Sequence, residues 1–142
     1  MFSESMRATE ITARLMIEPD RVATRGSRVA EPPRPVYHSW EVVCDGRGMA
    51  VDEQVRKVVD RVRPRRAAIA ELTQEPDACC GAVLAVVRHF DDEDGEEEEL
   101  SPPDAPLQKL SGQHQLLGWH LDRDILDFLF AVNAEIDVDE YG

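Results

Sequence analysis

The stretch Cys79 to Phe90, "CCGAVLAVVRHF", decides how the rest of the chain is read. It is apolar without interruption from Cys80 to Val87, too uniform for an element with one face in water. The pattern predicts a β-strand covered on both sides, central in its sheet. The other elements are placed around it.

Upstream, Tyr37 to Cys44, "YHSWEVVC", puts Trp40, Val42 and Cys44 on one face and Ser39 and Glu41 on the other, the alternation of a half-buried strand. After the turn "DGRG", Val51, Val55, Val58, Val59 and Val62 recur at helical spacing and form one apolar stripe despite the modest helix propensity of valine. Arg63-Pro64 should break that helix, because proline disfavours helical geometry in the residue before it and suits the first turn of a new one. A second helix through about Gln74 then buries Ile69 and Leu72. Near the N-terminus, Ala8, Ile11 and Leu15 mark a short helix that Pro19 ends. The segment Arg21 to Pro35, with Gly26, three prolines and four arginines, reads as an exposed connection, and its prolines exclude a central strand.

Downstream of the central strand, Gln113 to Trp119 is a weaker strand candidate for a sheet edge. Asp122 suits the N-cap of a helix with Ile125, Leu126, Leu129 and Val132 as its buried stripe, and Asn133 suits a left-handed C-cap. Ile136 and Val138 alternate with Asp137 and Asp139, as in a strand with one face in water. The order of elements describes a single α+β domain over residues 1–142, with helices packed on one face of a mainly antiparallel sheet. A ferredoxin-like split β-α-β arrangement is one candidate. Its first strand would lie before Ala8, where only "MFSESM" is available: either that strand is very short or the start lies inside a longer gene product.

Net charge is −13 over 142 residues, and its distribution is uneven. Residues 1–75 hold 13 Lys+Arg against 12 Asp+Glu, whereas residues 76–142 hold 3 against 17, a balance of −14. Such a field repels nucleic acid and attracts a basic protein partner. No window is apolar enough for a membrane helix, and "MFSESMRATE" lacks the features of a signal peptide, so a cytoplasmic location is expected.

The segment 91–106 is an acidic, proline-containing mobile loop on this reading. Its carboxylates Asp91, Asp92, Glu93, Asp94, Glu96, Glu97, Glu98 and Glu99 are the candidate partner-binding residues. A calcium loop fails: with Gly95 at the sixth position, Phe90 and Ser101 fall on the first and twelfth, where ligands are required. Clustered like charges also keep a neighbouring apolar strand soluble, with no partner involved.

Cys44, Cys79 and Cys80 match no disulfide or metal spacing, and adjacent strand residues point apart, so they read as buried thiols. No nucleophile motif occurs, hence no catalytic residue, metal ligand or cofactor is assigned. The basic run Arg56, Lys57, Arg61, Arg63, Arg65 and Arg66 reads as a solvated helix face with local ion pairs, because it lacks the aromatics or glycine cradle of a nucleic-acid site.

"EITARLMIEPDR" (Glu10 to Arg21) with its Ile11, Thr12, Leu15 and Pro19, the strand around Trp40, the helix "VRKVVDRVRPRRAAIAEL" (Val55 to Leu72) and the ending "AEIDVDEYG" (Ala134 to Gly142) occur in a fixed order. In this the chain, from about Thr9 to its end, resembles the bacterial family called domain of unknown function 4279. The resemblance implies the fold and transfers no catalytic residue. From the family's usual form the chain departs by a missing N-terminal strand and by the acidic insertion.

Two functions follow. One is a non-enzymatic interaction module, of the immunity type that masks a basic toxin or nuclease with an acidic surface. The other is a small-molecule-binding protein or enzyme with a pocket between the sheet and the 21–36 connection, lined by Arg25, Arg28, His38 and Trp40. Oligomeric state is left open.

Overall fold

The computed structural model describes residues 1–30, 33–46, 49–74, 80–89 and 119–141. Their elements run β1 (Phe2–Ser3), α1 (Ala8–Leu15), β2 (Arg21–Ala23), β3 (His38–Glu41), α2 (Val51–Val62), a 3-10 turn (Arg63–Arg65), α3 (Arg66–Gln74), β4 (Cys80–His89), α4 (Arg123–Ala131) and β5 (Ala134–Tyr141). This is an α+β fold with three helical units, α2 and α3 being the two halves of one interrupted unit. Pro64 causes the interruption: it stands in the 3-10 turn where the sequence predicts a break.

The five strands form one mixed, mostly antiparallel sheet in the order β2-β3-β1-β4-β5. β3 lies between β1 and β2, the strands that α1 connects, and β1 lies between β3 and β4, the strands that α2 and α3 connect; the three pairings this creates, β1 with β3, β1 with β4 and β2 with β3, are all antiparallel. The fourth pairing differs. β4 and β5 run parallel over eight residue pairs, from Ala82 opposite Ala134 to His89 opposite Tyr141. Parallel neighbours need a crossover, and α4 lies on it.

Alternation along β4 shows where the core sits. Cys80, Ala82, Leu84 and Val86 are buried, while Val87 is 54% exposed and Gly81, Val83 and Ala85 are at least partly open. The expectation of a strand covered on both sides is therefore corrected: β4 has one buried face. The uniform apolar run conceals the alternation, because valine and alanine stand at the open positions too. Trp40 on β3 joins the buried face, and Ile11 and Leu15 of α1, Val55 and Val59 of α2, Ile69 and Leu72 of α3, and Ile125, Phe128, Leu129 and Val132 of α4 close over it.

The N-terminal strand is present and two residues long, the very short strand that the sequence left open, and the departure from the family's form by a missing strand is corrected. Two residues suffice because both sides hold. Phe2 pairs with Ser39 and Gly81, Ser3 with His38 and Cys80, and Met1 exchanges backbone hydrogen bonds with Trp40. The Ser3 side chain is fully buried, and its Oγ accepts from the backbone N–H of Met6 at 2.9 Å, starting the turn into α1. On the open face the Phe2 ring lies over Gly81, where a Cβ would overlap it, and meets Tyr37 at 5.4 Å between centroids.

Two further corrections concern neighbours of the core. Arg21–Ala23, within the expected connection, is an edge strand on β3, consistent with the exclusion of a central position. In α4 the buried residue is Phe128 rather than Leu126, which is 46% exposed. Asp122 caps that helix as expected, its Oδ1 accepting from the Ile125 N–H at 3.0 Å, and Asn133 takes the left-handed conformation at φ 50°. The strand expected at Gln113 to Trp119 falls almost wholly outside the described residues.

Candidate functional site

Ion pairing inside the fold determines which charges are left to act outward. Along α2 and the 3-10 turn the basic residues reach across to other elements. Arg61 donates to Asp20 Oδ2 at 2.6 Å and to the Glu18 carbonyl, Arg56 binds Asp122, and Arg63 makes a two-pronged contact with Asp124 at 3.0 and 2.8 Å while also meeting Asp60. Arg63 also lies over the Phe128 ring, 5.7 Å from its centroid. The Asp124 carboxylate raises the Arg63 pKa above its ordinary value.

The partner carboxylates feel the same pairing. The Val43 N–H and then the Arg61 guanidinium hold Asp20 below the usual carboxylate range. The Ile125 N–H, assisted by Arg56, does the same for Asp122. Three of the six basic residues, Arg56, Arg61 and Arg63, are thus tied to other elements, and of the local pairs that a solvated helix face was expected to carry, Arg63 with Asp60 is formed.

The acidic side has no comparable engagement. Between residues 122 and 141 stand Asp122, Asp124, Asp127, Glu135, Asp137, Asp139 and Glu140 against Arg123 alone. Asp122 and Asp124 are tied as described, and Glu140 accepts from Arg88 Nη1 at 2.7 Å. Among the described residues, Asp127, Glu135, Asp137 and Asp139 make no ion pair.

The register with β4 sorts the β5 side chains. Glu135, Asp137 and Asp139 stand beside Val83, Ala85 and Val87 on the open face, ~6.6 Å apart along the strand. Ile136 and Val138 stand beside Leu84 and Val86 on the helix-covered face, yet are 44% and 42% exposed. The helix layer ends before it covers them. Among the described residues β5 also ends the sheet, so one row of its backbone N–H and C=O groups faces away from the described strands.

On α4 the flank carrying Asp124 and Phe128 faces Arg63. The opposite flank carries Leu126, 46% exposed, and Phe130, 88% exposed, one turn apart. That flank points away from α2 and α3, toward the β5 edge of the molecule. Acids below the edge, apolar residues above it and an open ladder between them make this the candidate site.

The residues proposed from sequence are distributed differently. Asp91, Asp92, Glu93, Asp94, Glu96, Glu97, Glu98 and Glu99 lie outside the described residues, beyond the end of β4. Arg25 and His38 are brought together: the Arg25 N–H donates to His38 Nδ1 at 3.2 Å, and the Arg25 guanidinium donates to the Glu4 carbonyl at 3.1 Å, 3.8 Å from the Glu4 carboxylate. Arg28 is exposed on the following bend. Trp40 instead points into the core, its indole N–H donating to Thr12 Oγ1 at 3.1 Å.

The acidic row of β5 was in view as a solvent-facing alternation. Nothing in the sequence indicated that it borders an edge, because strand order is not written in local pattern.

Among the described residues no group of three or more His, Cys, Asp or Glu is placed to hold a metal ion, and no helix is long and apolar enough to cross a membrane. Cys80 is buried, its Sγ 3.8 Å from Met6 Sδ, and Cys44 is half-buried.

No curated protein and no solved structure matches the chain. The family profile described as domain of unknown function (DUF4279) matches residues 1–142 from end to end, including the two-residue strand β1, and the chain therefore belongs to that family.

Proposed function

We propose that this protein is a non-enzymatic interaction module that holds a basic protein partner against its acidic C-terminal half. The observation that carries the reading is the asymmetry of pairing. Arg56, Arg61 and Arg63 are engaged within the fold, while Asp127, Glu135, Asp137 and Asp139 make no ion pair among the described residues. Uncompensated carboxylates on one side of a protein steer basic surfaces toward it and raise association rates, steeply so at low salt.

An immunity-type role, in which the partner is a basic toxin or nuclease, fits this chemistry. The interleaved order of β1 to β4 is the arrangement expected of a ferredoxin-like split β-α-β unit, here with α4 and β5 added beyond β4. Fold alone carries no function, so the reading rests on the charges. The pocket reading has less support, because the Trp40 indole already has its partner in Thr12.

The test is affinity capture from the native cell with the wild-type chain and with two charge variants, Asp137→Lys/Asp139→Lys and Glu96 to Glu99 replaced by serine. A basic protein retained by the wild type, released by salt and lost from at least one variant is the expected result. Retention unchanged in both variants would sink the reading.

A further inference from the structure

Building on the basic-partner reading, we infer that the β5 edge accepts an added strand, and that the strand it accepts alternates basic with apolar residues. Three features of one edge carry this. The first is the ladder. β5 is eight residues long; among the described residues it is bonded to β4 on one side and to no strand on the other, so alternate residues from Ala134 to Glu140 present N–H and C=O groups outward from the described sheet. An extended peptide satisfies such groups directly, and this is a recurring mode of recognition.

The second is the pair of faces. A strand laid beside β5 places alternate side chains above and below the sheet. Below, they lie beside Glu135, Asp137 and Asp139; above, beside the half-exposed Ile136 and Val138, under the flank of α4 bearing Leu126 and Phe130. Cross-strand neighbours at ~5 Å interact strongly enough to select their partners. Lysine or arginine below and valine, isoleucine or leucine above satisfy both rows at once.

The third is what the edge rejects. A second copy pairing through β5 brings two rows of carboxylates together, and like charges directly opposite are destabilising. Self-pairing is disfavoured by the same residues that favour a basic strand. Charge complementarity thus commits the edge to a partner strand of the opposite sign.

The probe is a synthetic peptide, acetyl-Lys-Val-Lys-Ile-Lys-Val-Lys-amide, added to the full chain while backbone amide shifts and amide exchange are followed. Two control peptides accompany it: one of the same composition with the lysines in a single block, and one N-methylated at alternate residues, which keeps the charge and removes one row of donors. The expected result is saturable binding with slowed exchange on β5, weakened about tenfold or more by either control and by Asp137→Lys/Asp139→Lys. Those two substitutions are on the open face and do not touch the core. Phe130→Ser should weaken binding by a smaller factor.

Equal binding of the N-methylated peptide, with loss in the lysine variant, would overturn strand addition while leaving the basic-partner reading intact. Saturable binding lost only when Glu96 to Glu99 are replaced would overturn the β5 site and move that reading to the acidic run. Slow exchange of the outer β5 amides in the free protein overturns it also: if independent of concentration, the chain's own segment holds the edge, and if dependent on it, a second copy does. Failure of every peptide to bind overturns strand addition, and the capture experiment then judges the broader reading on its own.

Discussion

At one end of the sheet β2 is three residues long and fastened at its base; at the other β5 is eight residues long and fastened mainly by its ladder to β4. The base of β2 is held by Asp20, whose N–H donates to the Glu41 carbonyl, whose Oδ2 accepts from the Val43 N–H, and which also takes Arg61. Among the described residues β5 carries the ion pair of Glu140 with Arg88, near its far end, and it presents carboxylates and apolar side chains on opposite faces. A short, tied edge offers little to a foreign strand. A long edge with graded chemistry offers a template, and its negative charge decides which strands can use it.

The largest expected effect tests whether both ends depend on one core. Leu72→Ala removes a buried α3 side chain from the core cluster to which all three helical units contribute and should cost about 2–5 kcal/mol. Urea unfolding followed by tryptophan fluorescence and by far-UV circular dichroism should show coincident transitions at a lower midpoint. Separate transitions would mean that the two ends are held independently.

Gly81→Ala comes next, at about 1–3 kcal/mol, because the new methyl group overlaps the Phe2 ring and forces β1 to shift. The double variant Phe2→Ala/Gly81→Ala should be less destabilised than the sum of the single changes. Additivity in a denaturation cycle would show that the ring does not sit over Gly81.

The tied carboxylates should also respond to acid. Asp20 and Asp122 have folded-state pKa values lowered by backbone N–H groups and arginines, so each adds stability that is present above the ordinary carboxylate pKa of ~3.9 and is lost as pH falls through the folded-state value. The urea midpoint should therefore drop between about pH 5 and pH 2. Asp20→Asn should flatten that drop, whereas Asp137→Asn should leave its slope unchanged.

The smallest effect on stability is expected at the open end. Phe130→Ser, at a side chain 88% exposed, should change stability by no more than about 0.5 kcal/mol. A larger loss in thermal melting would mean that Phe130 has a partner within the chain rather than beyond the edge.

How far the sequence could be read depended on whether a residue's role was local. Helical periodicity located α1, α2 and α3, Pro64 located the break between the last two, and Asp122 and Asn133 located the ends of α4, because caps and apolar stripes are set by the nearest turns of chain. Strand β2 escaped notice since three residues show no period, and β1 was open only as a very short strand before Ala8, since two residues form a strand only when a neighbour lies on each side. The burial of Phe128 rather than Leu126 was equally invisible: both fit an apolar stripe, and the choice was made by Arg63 and Asp124 turning that flank of α4 inward.

For the candidate site, the sequence alone determined the residue types and their alternation: three acids on one side of a strand, two aliphatic residues on the other, and an excess of negative charge in the second half of the chain. Tertiary structure decided that this strand runs parallel to β4, that it lies last among the described strands of the sheet, and that helix α4 stops short of covering it. Alternation is a property of one strand's geometry and is legible residue by residue. An edge exists only relative to the strands beside it, and those are chosen by packing among residues far apart in the chain.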